Sequence, residues 1–117
     1  MKQIFWMGPT KKDLRGFPDD VKDEIGYALY LAQEGEKGEN TKNYKGLNGV
    51  LEIISDYGSD TFRAVYAYKI DEDLYILHAF EKKSHEKSKL PKEIKKTIEI
   101  RYKDAIRYSK ERKKGLK

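Results

Sequence analysis

The stretch TFRAVYAYKIDEDLYILHAFEKKS, residues 61–84, decides the fold predicted for this chain. It contains two runs rich in aromatic and β-branched residues, 61–70 and 74–81, separated by an acidic turn at 71–73. Runs of this kind, broken by polar turn residues, are typical of a β-hairpin. The run 50–57 precedes them across a Gly-Ser-Asp turn. We therefore predict a three-stranded antiparallel meander in the middle of the chain.

The residues before the meander predict one strand and two helices. The apolar run QIFWM, residues 3–7, predicts a first strand, and a brief helix follows through Leu14 until Gly16 interrupts it. From Pro18 onward, apolar residues recur at the helical spacing and form one stripe: Val21, Ile25, Ala28, Leu29 and Ala32. Residues 34–49 are rich in Gly, Asn and charge, so we predict a surface loop there.

A last amphipathic helix is predicted after Leu90 and Pro91. Its apolar residues follow the helical period, and the basic tail 110–117 is expected to fray: the stripe is Ile94, Ile98, Tyr102 and Ala105. The predicted order is β-α-α-β-β-β-α, an α+β fold with a twisted, mainly antiparallel sheet and helices packed on one face. We expect residues 1–117 to form a single domain.

Composition narrows the chemistry and the compartment. The chain has no cysteine and only two histidines, His78 and His85, so we expect neither a metal site nor a cofactor. No run approaches the roughly 20 apolar residues of a membrane span, and the N-terminus lacks the apolar region of a signal peptide. We therefore expect a soluble, cytoplasmic protein with no membrane partner.

Charge is divided unevenly along the chain. Residues 1–81 carry 10 Lys and Arg against 15 Asp and Glu, whereas residues 82–117 carry 15 against 5. This division favours a polyanion, or an acidic protein partner, that approaches one side of the molecule. The alternative is a lysine-rich helix that is merely solvated.

The hairpin contains residues whose side chains can bind phosphate or transfer protons. Arg63 lies in mid-strand among apolar neighbours, where an unpaired cation is costly, so it needs either a phosphate ligand or a salt bridge to Glu52 on the adjacent strand. His78 is either a general base or a packed core residue, and Lys82 and Lys83 at the strand end are either phosphate contacts or solvated. The register, and hence which residues share a face with Arg63, stays open.

Five short strings, in this order, resemble one known family: YKGL at 44–47, LEI at 51–53, FRAVY at 62–66, LHAFEKKS at 77–84 and PKEI at 91–94. The chain looks like the phage-derived HigB-like toxins of the RelE/ParE superfamily, along nearly its whole length. The resemblance implies the toxin of a type II toxin–antitoxin system, paired with a HigA-like helix-turn-helix antitoxin in a hetero-oligomer. It also implies a metal-independent endoribonuclease that cleaves mRNA on the ribosome.

The resemblance also implies roles for individual residues. Arg63 corresponds to the strand arginine of these toxins, and Lys82 and Lys83 correspond to their basic pair at the end of the last strand. The resemblance assigns no residue of this chain to proton transfer; from the residues themselves, Glu52 and His78 are candidates, with His85 as a further candidate there or in RNA binding. Lys45 in the loop, Lys87 and Lys89 are candidate RNA or phosphate contacts. The same superfamily includes ParE toxins that poison gyrase, so a non-nuclease toxin or an inactive phage-derived binding protein remains the alternative.

Overall fold

A five-stranded mixed sheet, with the strand order β1-β5-β4-β3-β2, forms the centre of the fold. This computed structural model describes residues 1–83 and 91–115. In chain order the elements are β1 (Ile4–Trp6), α1 (Thr10–Arg15), α2 (Asp19–Gln33), β2 (Thr41–Asn43), β3 (Val50–Tyr57), β4 (Asp60–Ala67), β5 (Leu74–Lys82) and α3 (Lys92–Gly115). The chain is therefore an α+β protein with three helices in its described residues.

The predicted meander is confirmed as β3, β4 and β5. These strands pair antiparallel, with Arg63 opposite Ile54 on β3 and opposite Phe80 on β5. Gly58 adopts a left-handed φ of 63° in the turn between β3 and β4, a conformation that glycine reaches without a steric penalty. Strand β4 ends at Ala67 rather than at residue 70, and β1 adds the parallel pairing of the sheet by lying alongside β5.

The predicted loop 34–49 contains a strand, which corrects the expected element order. Residues Thr41–Asn43 form β2, which pairs antiparallel with β3 and places Lys42 opposite Glu52. The strand has no alternating apolar pattern, because only its first residue, Thr41, is buried. It is held by backbone pairing to β3, so the observed order is β-α-α-β-β-β-β-α.

Helices cover both faces of the sheet, so the prediction that they pack on one face is wrong. The stripe predicted for α2 is buried as expected, and it packs with Ile53, Tyr66 and Ile76. Helix α3 buries Ile98 and Ala105 with the opposite set of strand residues, which includes Val65 and Leu77. Both faces of β4 and β5 carry apolar side chains, and each face needs its own covering layer. We call these two faces the α2 side and the α3 side.

Helix α3 continues to Gly115. The prediction that the tail frays is therefore wrong for residues 110–115. Its last turns are attached to the sheet: Ser109 donates a 2.6 Å hydrogen bond to Asp71, and Arg112 Nη2 lies 3.0 Å from Asp73 and 3.3 Å from Asp71. The Arg112 guanidinium also lies 4.5 Å from the ring centroid of Phe5. None of the helices in the described residues has the length and apolarity needed to cross a membrane.

Candidate functional site

Four predicted site residues lie on the α3 side of the sheet: Glu52, Arg63, His78 and Lys82. Val65 is the cross-strand partner of both Glu52 and His78, and the next pair along the sheet joins Arg63 to Phe80. A register shift at Val65/Tyr66 leaves Leu77 as an extra residue in β5. The set that shares a face with Arg63 is therefore His78, Phe80 and Lys82, which the sequence had left open.

Arg63 and Glu52 form a nearly buried ion pair. Arg63 Nη1 lies 3.1 Å from each Glu52 carboxylate oxygen, and the two side chains are 14% and 7% exposed. Lys42 Nζ lies 3.9 Å from the same carboxylate, but its side chain is 61% exposed. One buried carboxylate thus lies between two cations on neighbouring strands. We call Lys42, Glu52 and Arg63 the strand cluster.

The strand cluster does not use all of its hydrogen-bonding groups. Arg63 Nε is buried and donates no hydrogen bond to any described residue, and Glu52 Oε2 accepts none with good geometry despite its short distance to Arg63. The salt bridge predicted between Arg63 and Glu52 is nevertheless present, as the 3.1 Å distance shows. Because buried donors are normally paired, the guanidinium retains capacity for a further acceptor such as a phosphate oxygen.

His78 is held as a neutral ring. Burial first, and the nearby charge of Arg101 second, lower its pKa to about 4, while the charge of Asp13 acts in the opposite direction. Arg101 Nη1 lies 3.2 Å from His78 Nδ1 and donates a 3.1 Å hydrogen bond to the Leu77 carbonyl oxygen, so Nδ1 is the accepting nitrogen. A neutral histidine of low pKa is a weak base and a poor proton donor at neutral pH.

The two lysines at the end of β5 face different sides of the sheet. Lys82 is 8% exposed and lies opposite Thr61, on the same side as Arg63. Lys83 is 51% exposed, and its Nζ lies 2.8 Å from Glu81 and 4.0 Å from Asp60. The structure therefore brings Lys82, but not Lys83, to the side of the strand cluster.

A model of a known family matches a stretch of the chain that spans the site. The model of the phage derived protein Gp49-like family (DUF891) matches residues 12–103, from α1 into α3. The chain belongs to this family. The Gp49-like family is itself a RelE-like, toxin-like family. No curated protein and no solved structure matches the chain significantly.

Lys42 is the residue of this Gp49-like chain that the sequence reading missed. It lies opposite Glu52 only because Thr41–Asn43 form a strand, and three polar residues give no periodic signal for one. Tyr44, just beyond β2, is buried, and its pKa is raised by burial and then by the charges of Glu52 and Glu99. Its phenol therefore stays protonated beside the strand cluster at physiological pH.

The remaining predicted residues stand apart from the strand cluster or outside the described residues. Lys45 is exposed in the loop between β2 and β3, and it is not among the ion-pair partners of Arg63 or Glu52 in the described part of the chain. His85, Lys87 and Lys89 lie outside the described residues. Within residues 1–83 and 91–115, no group of three His, Cys, Asp or Glu side chains is arranged to hold a metal ion.

Proposed function

We propose that this Gp49-like protein is the toxin of a toxin–antitoxin pair and that it cleaves mRNA on the ribosome as a metal-independent endoribonuclease. The strand cluster is the observation that carries the proposal, because it combines one carboxylate with two cations on a rigid sheet. Membership of a toxin-like family supports it. A helix-turn-helix antitoxin is the proposed partner, in a hetero-oligomer that keeps the toxin inactive in the cytoplasm.

The strand cluster contains the groups that RNA cleavage by transesterification requires. The scissile phosphate binds Arg63 and Lys42, and in doing so it takes donors away from Glu52. The freed Glu52 carboxylate accepts the proton of the 2′-hydroxyl, whose oxygen forms a bond to phosphorus while the bond to the 5′-oxygen breaks. The two cations stabilise the charge that develops on the phosphorane. Lys82, on the same side, is the candidate that donates a proton to the leaving 5′-oxygen.

Induction of the protein from a tightly repressed promoter tests this function. We expect growth arrest together with new mRNA 5′ ends, detected by primer extension. Arg63→Ala should abolish both effects, since the loss of one electrostatic contact to the transition state costs about 10²–10³-fold in rate. Arg15→Ala, at an exposed arginine of α1, is the matched control and should stay toxic. Full toxicity of Arg63→Ala would reject the strand cluster as the site.

Folding must be separated from chemistry in this test. Among the residues that the structure describes, Arg63 and Lys42 are the cations paired with Glu52. Removing Arg63 therefore leaves a buried carboxylate with Lys42 alone, and this destabilises the sheet. Glu52→Gln keeps the size of the side chain and removes its charge. We expect Glu52→Gln to keep the wild-type circular dichroism spectrum and to lose cleavage, because an amide cannot act as a base.

One observation favours a second candidate function. Glu52 already neutralises Arg63, and His78 is held neutral, so the site could bind a partner without catalysis. A non-nuclease toxin of the same fold, such as a gyrase poison, or an inactive phage-derived binding protein fits this arrangement. Growth arrest with intact mRNA and an induced DNA-damage response would support the gyrase-directed toxin and reject the nuclease. Unaffected growth would support the inactive protein.

A further inference from the structure

The outer surface of α3 carries a stripe of cations. Six exposed residues define this cationic stripe: Lys92, Lys96, Lys103, Arg107, Lys110 and Lys114. At about 100° per residue, their spacing places all six within an arc of roughly 60°, opposite the buried Ile98 and Ala105. The rise of about 1.5 Å per residue makes the stripe roughly 33 Å long. A rigid helix thus presents its charges in one straight line.

Acidic residues of α3 lie mainly outside the cationic stripe. Glu93, Asp104 and Glu111 fall on one flank by the same helical geometry, and Arg107 Nη2 lies 3.1 Å from Asp104 across that boundary. The fourth acidic residue, Glu99, lies at the opposite edge of the stripe, between Lys96 and Lys103 along the helix. Residues 92–115 hold ten Lys and Arg against four Asp and Glu, a balance of +6. By contrast, residues 19–39 on the opposite side of the sheet hold two against seven, a balance of −5. The fold therefore concentrates positive charge on one side of the molecule.

The composition of the cationic stripe indicates what kind of polyanion it fits. Proteins that hold single-stranded nucleic acid place aromatic rings between their cations, so that bases can stack on them. The stripe contains no aromatic residue, because Tyr108, 44% exposed, lies about 100° or more from most of its members. Lys and Arg alone contact phosphates without reading sequence. A straight row of such cations matches the regular phosphates of a double helix.

We propose that the cationic stripe of α3 binds the phosphate backbone of double-helical RNA, as a surface separate from the strand cluster. The residues of the stripe are exposed, whereas Arg63 and Glu52 are nearly buried on the sheet. The choice of RNA over DNA rests on the proposed function, while the choice of duplex over single strand rests on the stripe itself. Binding at this surface would hold the protein on folded RNA while the strand cluster acts on a single strand.

Fluorescence anisotropy with a labelled, mixed-sequence RNA duplex and the full chain tests the proposal. The test variant, Lys96→Glu/Lys103→Glu/Lys110→Glu, reverses three charges of the stripe, and Glu is as good a helix former as Lys. The matched control, Lys11→Glu/Lys12→Glu/Lys37→Glu, makes the same change in net charge at exposed lysines outside α3. Circular dichroism verifies that both variants stay folded.

The salt dependence of binding gives the quantitative result. If all six cations neutralise phosphates, the logarithm of the binding constant falls with the logarithm of salt concentration with a slope of about −5, and the stripe variant loses about three from that slope. The control variant should bind the duplex like the wild type. Equal losses in both variants, or wild-type binding by the stripe variant, would overturn the proposal. So would single-stranded RNA or duplex DNA bound more tightly than the RNA duplex.

The same assay separates this proposal from the proposed function. If the wild type cleaves no RNA but still binds the duplex through the stripe, only the nuclease function fails. If it cleaves RNA and the stripe variant binds the duplex as tightly as the wild type, only the stripe proposal fails.

Discussion

The two sides of the sheet differ in what they bury. The α2 side is an apolar core in which Val21, Ile25 and Leu29 pack against strand residues such as Ile53. The α3 side also has an apolar core, but it contains the two least exposed carboxylates among the described ion pairs. These are Glu52, at 7%, and Asp71, at 1%, held by Arg63 and Arg112.

This difference means that the two sides contribute differently to the stability of the fold. Apolar burial stabilises in proportion to area and does not depend on ionisation, whereas a buried ion pair costs desolvation and is a weak source of stability. We infer that the α2 side provides most of the support for the sheet. The α3 side has buried charges and a basic outer surface, and we assign to it the strand cluster and the cationic stripe.

The largest effect on stability is expected from Ile25→Ala on the α2 side. Ile25 is 0% exposed, and removal of its side-chain carbons should lower the free energy of unfolding by about 2–5 kcal/mol. Urea denaturation measures this loss, which should be the same at pH 5 and pH 7. Tyr27→Ala on the same helix, at a 63% exposed residue, is the control and should stay within about 0.5 kcal/mol of the wild type. A loss for Ile25→Ala below that value would mean that α2 does not support the sheet.

A smaller and pH-dependent loss is expected from Asp71→Asn on the α3 side. Burial opposes the ionisation of Asp71, but hydrogen bonds from Ser109, Tyr75 and Asp73, together with the charge of Arg112, outweigh it and lower its pKa. The folded state therefore binds this proton more weakly than the unfolded state does. The resulting stability is present above the unfolded pKa of about 3.9 and is lost as the pH falls through the lower folded value.

Urea denaturation across pH measures this prediction. Asp71→Asn should cost about 1–3 kcal/mol at pH 7, since it weakens the acceptor of several buried donors. The difference from the wild type should shrink below about pH 4, where the unfolded chain takes up the proton. Asp20→Asn, at an exposed residue in the first turn of α2, is the control for charge alone. A difference that stays constant down to pH 3 would show that the Asp71 charge does not stabilise the docking of α3.

Most of the strand cluster follows from sequence, because period-two alternation and short turns constrain a hairpin. The alternation of β4 puts Arg63 and Val65 on one face, and an antiparallel β3 brings Glu52 within reach of Arg63. Lys42 could not be found in this way. Its strand has no apolar pattern and is held by backbone hydrogen bonds to β3. Backbone hydrogen bonds leave no pattern in the amino-acid types, so periodicity does not predict this strand.

The placement of the helices on the two faces was not predictable from amphipathicity. A single apolar stripe, as in α2 and in α3, shows that a helix is buried on one face but not which sheet face it covers. The register shift beside Val65 was equally hidden, although it moves Leu77 under α3 and leaves His78 beside Phe80. Both features depend on how distant segments pack, which local periodicity does not report.

The smallest effect on stability at neutral pH is expected from His78. Its pKa reports how well the α3 side excludes water from the ring. The structure places its pKa at about 4, below the ordinary 6.5, with burial as the first cause and Arg101 as the second. The unfolded chain therefore takes up this proton first. Stability should be unaffected at pH 7 and should fall progressively between about pH 6.5 and pH 4. Titration of the imidazole signals by NMR measures the pKa, and His85→Asn assigns the signals.

Arg101→Met separates the two causes of the His78 shift. Removal of the guanidinium should raise the pKa of His78, but the value should stay below 6.5 because the ring remains buried. Arg107→Met, at an exposed arginine further along α3, is the matched control and should leave the titration unchanged. A wild-type midpoint near 6.5 that does not respond to Arg101→Met would mean that water reaches the ring. In that case His78 would return as a proton-transfer candidate on the α3 side.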